Sequence, residues 1–418
     1  MLHQPANNGN FGQKMSNQTV NTVLSIQEAL KLLLTTGISS GGSFAIWRKP
    51  KSAKLEYVMD ELNDPEKVTM NLEELAPGFI VHPFTDQEDK KAWFIRASKY
   101  LFLNLDQPIE EDYLPDWILS SGEKVENQTL DSHHFQVKTS GDSREKRKIG
   151  EGKEHFKNLV ELAIQAISEG KLEKVVPSRT KTIQLSEEFD LSKSLLSMLK
   201  AYPNSFVNFF HIPNIGTWIG ASPEILIETK GEYFYTMSLA GTQPVVGENP
   251  LKTAAWTAKE IEEQALVSRY IVDCFKKIRL REYDEYGPKT VLAGTLLHLR
   301  SDFRVNMTTT NFPQLGSVML ELLHPTSAVC GMPRETAHAF LKENEGFDRS
   351  FFAGFIGPVN INQETSIYVN LRTASIEGDK AVLYAGAGVT EDSDPEKEWE
   401  ETDLKCQIIG KFIQNPNA

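Results

Sequence analysis

The chain has 418 residues, 40% hydrophobic and 24% charged, so it can bury a substantial core, and its length alone would allow two or three domains. Lys and Arg total 44 against 57 Asp and Glu, and the net charge of -13 argues against nucleic-acid binding, since phosphate contacts need a basic face. The three cysteines, Cys274, Cys330 and Cys406, lie far apart, which excludes a disulfide framework or a zinc ribbon and predicts reduced thiols.

No segment is typical of a secretory leader or a membrane span. Met1 to Val20 is rich in Asn and Gln and has no apolar stretch. The longest apolar runs, such as Leu32 to Leu34, are far too short to cross a bilayer. We therefore expect a soluble cytoplasmic protein with no membrane and no nucleic-acid partner.

A polar, charged segment runs from Asp131 to Glu154. It predicts an exposed connection between an N-terminal region, residues 1–150, and a longer C-terminal region, residues 151–418. A surface loop inside one domain explains the composition equally well, and both interpretations stay open.

The elements predicted after this connection are helices separated by pairs of strands. Apolar residues recur at helical spacing from Phe156 to Ile167, and Gly170 ends that helix. A long helix is predicted from Thr257 to Ile278, and a closing one from Pro395 to about Ile413, with a capping box at Ser393. The predicted strands are Val175–Ile183, Val207–Ile212, Thr217–Ile219, Ile225–Thr229, Tyr233–Met237, Phe351–Ile356, Thr365–Ala374 and Ala381–Ala385. Consecutive strands between helices favour a layered α+β fold over a Rossmann sheet.

Two of these helices carry paired carboxylates at the head of an apolar stripe. Glu260 and Glu263 precede Val, Ile and Cys residues on one helix, and Glu398 and Glu401 begin a similar stripe on the other. Two such pairs on inward faces indicate a hard cation with oxygen ligands, Mg²⁺ rather than zinc or iron. Solvated charges at i,i+3 explain the pattern about as well, whereas a di-iron site needs a Glu-x-x-His pair that neither helix has.

Four other features are candidates for anion binding or proton transfer. Alternation in the strand SIYVNLRTASI places Asn370 and Arg372 on one face, and Arg372 is either a surface residue or a carboxylate clamp. The turn Gly386–Gly388 could offer backbone N–H groups to an anion, or could be a tight turn without a ligand. Lys174, in mid-strand, would share a face with Val176 and Ser178, which would partly enclose its amine, and Glu224 lies between two apolar strands. They are either surface charges or a general base and a general acid beside a bound anion.

Together these segments resemble the chorismate-using enzymes, a family that includes the isochorismate, salicylate, anthranilate and aminodeoxychorismate synthases. The resemblance covers about Lys171 to Ile413. It rests, in order, on KVVPSR, GASPE, SLAGT, KEIEEQALV, HLRS, LLHPTSAVCGMPR, RSFFAGFIG, NLRTA and YAGAGVTEDSDPEKEWEETDLK. It implies one α+β unit with two large packed β-sheets flanked by helices, to which the variable residues 1–150 contribute.

The resemblance also implies roles for individual residues. Glu263 and Glu401 would ligate Mg²⁺ directly, and Glu260 and Glu398 would act through bound water. Arg372 and the turn Gly386–Gly388 would hold the enolpyruvyl carboxylate of chorismate. The residues expected to line the rest of the site are Gly241, Thr242, His298 and Lys405.

Two positions select a reaction within the family. Lys174 stands where amine-incorporating members carry Gln and resembles the water-adding enzymes. Ala240 stands where aminodeoxychorismate synthases carry a reactive lysine. The resemblance therefore implies Mg²⁺-dependent, reversible conversion of chorismate to isochorismate. Lys174 would activate a water that attacks C2, and Glu224 would protonate the hydroxyl that leaves C4. A salicylate synthase and an ammonia-using anthranilate or aminodeoxyisochorismate synthase are the alternatives.

Three residues depart from the family's pattern: Gln243 replaces an Arg, Gln264 a His and Cys330 a Gly. None of them removes a proposed ligand or an acid–base group. A non-catalytic binding relative is the alternative from another class. We expect a monomer without an obligatory amidotransferase subunit; the sequence does not separate a menaquinone from a siderophore pathway.

Overall fold

The computed structural model describes residues 22–62, 64–86, 89–122, 152–293 and 296–414. Two large antiparallel sheets form its centre. In chain order the strands are Val23–Leu24 (β1), Phe44–Arg48 (β2), Lys54–Met59 (β3), Glu66–Val68 (β4), Gly78–His82 (β5), Ala92–Arg96 (β6), Lys99–Asn104 (β7), Ile109–Glu110 (β8), Lys174–Val175 (β9), Ser178–Gln184 (β10), Phe206–Ile212 (β11), Gly216–Ser222 (β12), Ile225–Lys230 (β13), Tyr233–Pro244 (β14), Asp284–Ala293 (β15), Leu296–Asn306 (β16), Gly331–Met332 (β17), Phe355–Val359 (β18), Glu364–Val369 (β19), Thr373–Glu377 (β20) and Lys380–Gly386 (β21).

Strands from both halves of the chain join both sheets. One sheet has eight strands in the order β10-β21-β20-β12-β11-β2-β3-β7, and the other has nine in the order β15-β16-β14-β13-β19-β18-β5-β6-β4. Two small pairs, β1 with β8 and β9 with β17, lie outside them. The N-terminal strands therefore complete the same layers as the C-terminal ones.

Helices cover the outer faces of the sheets. They are Ile26–Ser40 (α1), Asp116–Gly122 (α2), Lys153–Ser168 (α3), Leu191–Ala201 (α4), Pro250–Thr253 (α5), Ala258–Lys277 (α6), Leu315–Leu323 (α7), Arg334–Asn344 (α8) and Pro395–Gln414 (α9), with 3-10 turns at Leu72–Glu74 and Glu111–Tyr113. Helix α6 packs against β14, and α9 packs against α3 and β21. The α+β layering predicted from the sequence is confirmed.

The strand β11 shows how one sheet serves two cores. Phe206 and Phe210 belong to a core that joins residues of both sheets, and the Phe206 ring stacks 4.0 Å from Tyr368 of the nine-stranded sheet. Val207 and Phe209 point the other way, into a second core shared with α1, α4 and α9. This alternation follows from the period of two along a strand.

Three predicted strands are interrupted. Pro177, which has no N–H to donate, separates β9 from β10. Arg372 has a positive φ of 50° and separates β19 from β20, so the prediction that it lies mid-strand beside Asn370 is wrong. Ser350 and Ala353 also have positive φ, and the strand predicted from Phe351 starts only at Phe355.

The boundaries of the long helices agree with the prediction, with one correction at a cap. Gly170 follows α3 with a φ of +73°. The N-terminus of α9 is capped by Asp394 instead of Ser393, because the Asp394 carboxylate accepts from the N–H groups of Glu396 and Lys397, both at 3.0 Å. The N-terminal segment before Thr22 and residues 131–151 of the predicted connection lie outside the described residues.

The three cysteines are buried free thiols, as predicted. Among the described residues, no helix combines the length and the apolar character that crossing a bilayer requires.

Candidate active site

A cleft of about 610 Å³, partly open to solvent, gathers residues from the central sheets, α6, α9 and six connecting segments. Nine of the thirteen predicted site residues line it: Glu224, Gly241, Thr242, Glu263, His298, Arg372, Gly386, Gly388 and Lys405. The other four, Lys174, Glu260, Glu398 and Glu401, lie behind or beside its wall.

Lys174 is fully buried behind the cleft wall. Its Nζ donates a hydrogen bond of 2.9 Å to Oε1 of Glu263, and its side chain is 0% exposed. Glycine at 388 permits this arrangement, because a Cβ there would lie 2.3 Å from Oε1 of Glu263 and 3.2 Å from Cε of Lys174. The amine is therefore enclosed, as the sequence suggested, and Glu263 stands between it and the cleft.

Glu263 faces several cations. Burial would raise the pKa of its carboxyl, but the ammonium groups of Lys174, Lys405 and Lys259 outweigh burial and hold that pKa below its usual range. Glu263 is therefore an ionised acceptor at the cleft wall.

The glutamates of α9 are also paired with lysines. Glu398 is 1% exposed and accepts a 2.5 Å hydrogen bond from Nζ of Lys259, on α6. Glu401 pairs with Lys405 at 2.5 Å, one turn further along α9. Burial and the neighbouring Glu401 raise the pKa of Glu398, although Lys259 opposes this. The carboxylates of α6 and α9 thus meet around lysine ammonium groups.

Lys259 occupies the centre of this acidic cluster. Burial would lower the pKa of its amine, but the carboxylates of Glu398, Glu401 and Glu263 together raise it. Only Glu398 of the three is hydrogen-bonded to Lys259 among the described residues, while Glu401 and Glu263 pair with Lys405 and Lys174. Carboxylate oxygens are the ligand type that a hard divalent ion such as Mg²⁺ prefers. The fourth predicted carboxylate does not join them: Glu260 turns back and accepts from the backbone N–H of Thr257 at 2.8 Å, in the capping box of α6.

Glu224 is a buried acid at the opposite side of the cleft. It follows Pro223 between β12 and β13 and is 3% exposed. Burial raises the pKa of its carboxyl to about 8, against the opposing charges of Lys174, Arg372 and Lys405. The side chain is therefore protonated at neutral pH and can donate a proton into the cleft.

Arg372 reaches the cleft because its backbone leaves the sheet. Burial lowers the pKa of the guanidinium, and the carboxylates of Glu401 and Glu224 oppose that change, which places the charge between them. Asn370, expected on the same face, is instead fully buried and donates to the Phe351 carbonyl at 3.0 Å. Arg372 is a fixed cation suited to a substrate carboxylate.

The turn Gly386–Gly388 forms one wall but offers fewer N–H groups than its sequence suggests. The N–H of Ala387 donates to the Pro177 carbonyl at 3.1 Å, and that of Val389 donates to Val175 at 2.8 Å. Nζ of Lys405 donates to the Gly386 carbonyl at 2.8 Å. This turn therefore allows a ligand to approach the glycines closely, rather than providing a group of N–H donors.

His298 presents a neutral ring to the cleft. Its Nδ1 donates to the Gly241 carbonyl at 2.7 Å, so Nε2 carries the lone pair, and Nε2 is buried without a protein partner. Burial, together with Arg372 and Lys405, lowers the pKa of His298 to about 3. The imidazole of His298 can therefore accept a hydrogen bond from a ligand hydroxyl.

Gly241 has a φ of +71°, and a Cβ there would lie 3.1 Å from that of Glu260.

The three unusual residues have structural partners. Nε2 of Gln264 donates to the hydroxyls of Ser238, Ser268 and Ser301 within 3.0 Å. Gln243 donates to the Ala255 carbonyl at 2.6 Å, and Cys330 is fully buried.

Sequence reasoning identified the carboxylates but missed Lys259. The spacing of four residues between Lys259 and Glu263 on one helix would predict a pair between those two side chains, whereas Lys259 pairs with Glu398 and Glu263 with Lys174. Ala328 and Val329, from the HPTSAVCG segment, also line the cleft.

Comparisons with known proteins place this cleft in context. Residues 92–414 match the family model described as "Chorismate binding enzyme". The chain is 30% identical over 262 residues to the vibriobactin-specific isochorismate synthase of Vibrio cholerae, covering 61% of this chain and 66% of that protein. It is 30% identical over 263 residues to the isochorismate synthase MenF of Escherichia coli, covering 61% of this chain and 59% of MenF. The matched segments thus span slightly less than two thirds of these relatives.

Solved structures show the same fold over nearly the whole chain. A 2,3-dihydroxybenzoate-specific isochorismate synthase, DhbC of Bacillus anthracis, superposes with a TM-score of 0.67 at 22% identity, covering 93% of this chain and 99% of that one. MenF of Escherichia coli superposes with a TM-score of 0.67 at 21% identity, covering 94% of each chain. Because the family model spans most of the sequence, the chain belongs to the chorismate binding enzyme family.

Proposed function

We propose that this protein is an isochorismate synthase, which converts chorismate reversibly into isochorismate. The observation that carries the proposal is that a protonated glutamic acid, Glu224, lines a cleft that also holds cations, while an enclosed lysine, Lys174, lies directly behind Glu263 in the wall of the same cleft. The names of the matched relatives support the same reaction.

The charges of the site suit a dianionic substrate. Arg372 and Lys405 line the cleft, and either can pair with a carboxylate of chorismate. The neutral Nε2 of His298 can accept a hydrogen bond from a hydroxyl, while the glycines at 386 and 388 leave room for the side chain. These residues bind and orient the substrate between Lys174 and Glu224.

The acid and the base account for the atoms of the reaction. A water attacks C2 and gives a proton to Lys174 as the new C–O bond forms. The ring double bonds shift, the C4–O bond breaks, and the leaving hydroxyl takes the proton of Glu224 and departs as water. One water is consumed and one released, so the net change is an isomerisation. Lys174 has to release Glu263 and lose its own proton before it can act as this base.

Glu263 and Glu401 are the residues that would hold Mg²⁺ directly, with Glu398 next to them. When bound, the ion supplies positive charge that neutralises a carboxylate of the substrate and fixes the ring. Without ligands, the ammonium groups of Lys174, Lys259 and Lys405 balance the three glutamates. Binding of either a divalent cation or a dianionic substrate alone would disturb this balance of charge, whereas binding of both would restore it. We therefore expect the cation and the substrate to depend on each other for binding.

The decisive experiment is to incubate the purified protein with chorismate and Mg²⁺ near neutral pH and to separate the products. Isochorismate in reversible balance with chorismate is the expected result. Stoichiometric salicylate and pyruvate would identify a salicylate synthase, and anthranilate formed on adding ammonium would show that ammonia is the nucleophile. Chorismate that binds but never turns over would identify a binding relative. Full activity in excess chelator would exclude the Mg²⁺ assignment.

A further inference from the structure

We propose that His82, Asp86 and His324 form a second metal site, outside the cleft, for a divalent transition metal of the zinc type. One ligand atom from each of the three side chains lies within 4.8 Å of the others. The three residues come from two distant parts of the chain, the end of β5 and the segment after α7.

His82 is held in the tautomer that a metal ligand needs. Its Nδ1 donates to the Pro83 carbonyl at 2.8 Å, so the lone pair lies on Nε2. That Nε2 is buried, has no hydrogen-bond partner in the part of the chain that the structure describes, and lies 3.7 Å from Oδ1 of Asp86. The ring stacks on Phe355 at 4.7 Å with an interplanar angle of 4°, which fixes its direction.

His324 supplies a second unpartnered nitrogen at the same place. Its ring meets that of His82 edge to face at 5.0 Å and also interacts with the Pro83 carbonyl, and among the described residues its buried Nε2 has no hydrogen-bond partner. Burial lowers the pKa of both histidines, so both are neutral, as metal ligands must be. A buried ring nitrogen without a hydrogen-bond partner is energetically unfavourable. A shared cation removes that penalty.

The donor set selects the class of metal. Two imidazole nitrogens and one carboxylate suit zinc and similar ions, which leave a fourth position for water. Ligand atoms around a tetrahedral zinc lie about 3.3 Å apart when each bond is about 2.0 Å, so the 3.7 Å between His82 and Asp86 needs little adjustment. The Asp86 side chain is 48% exposed and gives the ion a path from solvent.

The site is connected to the wall of the cleft. His324 begins the segment that continues to Ala328 and Val329, which line the cleft. Gly354 packs so closely on the His82 backbone that a Cβ there would lie 2.0 Å from the His82 carbonyl oxygen, and its neighbour Ala353 also lines the cleft. A bound ion would tie these two wall segments together, which is a structural role rather than a part of the reaction.

The test measures zinc binding to the full chain, stripped with chelator and then titrated with ZnCl₂ by calorimetry in saturating Mg²⁺. The Mg²⁺ occupies the carboxylate cluster, and the measurement is repeated in Glu263→Gln to exclude zinc binding there. Wild-type protein should bind one zinc ion per chain, and Co²⁺ at the same site should give the visible absorption of a tetrahedral nitrogen–oxygen complex.

Asp86→Asn changes an exposed side chain and should fold normally, yet we expect it to weaken zinc binding at least tenfold. Asp89→Asn is the matched control, since Asp89 is a nearby carboxylate that pairs with Lys67 instead, and it should leave the affinity unchanged. His324→Gln should abolish binding. No zinc binding by the wild type, or equal affinities in Asp86→Asn and Asp89→Asn, would overturn the proposal, whatever the outcome of the chorismate assay.

Discussion

Nζ of Lys174 lies 2.9 Å from Oε1 of Glu263, so the proposed base and a proposed metal ligand are hydrogen-bonded to each other. The Glu263 carboxylate cannot bind the Lys174 ammonium and a metal ion at full strength at the same time, since a divalent cation attracts it more strongly than an ammonium group does. If Glu263 binds the metal as proposed, we expect metal binding and release of Lys174 to be coupled through its carboxylate.

Lys174→Gln should remove the base while keeping an N–H donor for Glu263. We expect turnover of chorismate to fall at least about 100-fold, the usual contribution of a general base, with substrate binding retained. The measurement is kcat by product separation, beside the chorismate Kd by calorimetry. Lys181→Gln, at a half-exposed lysine of β10 that pairs with Asp403, is the control and should be fully active. A rate in Lys174→Gln near that of the control would remove Lys174 from the mechanism.

Glu263→Gln tests the metal assignment. The amide keeps the shape of the side chain but loses its charge, so we expect Mg²⁺ affinity to fall about 10- to 100-fold and turnover to be lost even in excess Mg²⁺, with the fold intact by circular dichroism. Glu262→Gln changes the neighbouring exposed residue of the same helix and should titrate like wild type. An unchanged Mg²⁺ requirement in Glu263→Gln would contradict the assignment.

The pH dependence of turnover should report the protonation of Glu224. Because the acid must be protonated and its pKa is about 8, turnover should stay level below that pH and decline as the pH rises through about 8. The folded pKa exceeds the ordinary value of 4.5, so the folded protein binds the extra proton between the two. Its contribution to stability therefore decreases as the pH rises from 4.5 to 8.

Glu224→Gln should lose at least about 100-fold in turnover, still bind chorismate, and show no such loss of stability with rising pH. Glu228→Gln is the matched control, since Glu228 lies on β13, does not line this cleft, and accepts a hydrogen bond from the Ser366 hydroxyl. If the stability of Glu224→Gln depends on pH in the same way as that of the wild type, a group other than Glu224 titrates in this pH range.

The sequence predicted the α+β layers and the long helices because their apolar periodicity is strong. It could not predict the backbone at Arg372, since a positive φ at a non-glycine residue is imposed by its surroundings and leaves no local signal. The same surroundings turn a side chain expected on a strand face into one that lines the cleft.

In the site, residue types predicted which groups assemble but not how they pair. Lys174, Lys259 and Lys405 each take one carboxylate. Lys405 and Glu401 are four residues apart on α9, whereas the other two pairs join different elements, so their distances depend on how those elements pack. Glu260 shows the opposite case: a capping box, readable from Thr257 and Glu260 in the sequence, already uses the carboxylate that the resemblance assigned to the metal shell. Its role as a ligand through water stays a prediction.

Lys259→Met gives the last prediction, on stability. The substitution keeps the aliphatic length but leaves Glu398, which is 1% exposed, without its cation, so we expect the free energy of unfolding to fall by about 2 to 4 kcal/mol in the absence of Mg²⁺. Urea unfolding monitored by circular dichroism measures this. Lys276→Met is the matched control on the same helix, because its pair with Asp273 is exposed and its loss should not change stability measurably.

Mg²⁺ should then reverse the loss of stability caused by Lys259→Met. If the ammonium of Lys259 occupies part of the space in which the glutamates would hold the ion, removing it eliminates a competing cation. MgCl₂ should then raise the unfolding midpoint of Lys259→Met more than that of wild type or of Lys276→Met, since a ligand that binds only the folded state stabilises it by mass action. An equal response in all three proteins would mean that Lys259 and the metal do not share the cluster. The carboxylates around Lys259 would then be an ion-pair network that holds α6 against α9, and Mg²⁺ would have to bind elsewhere in the cleft.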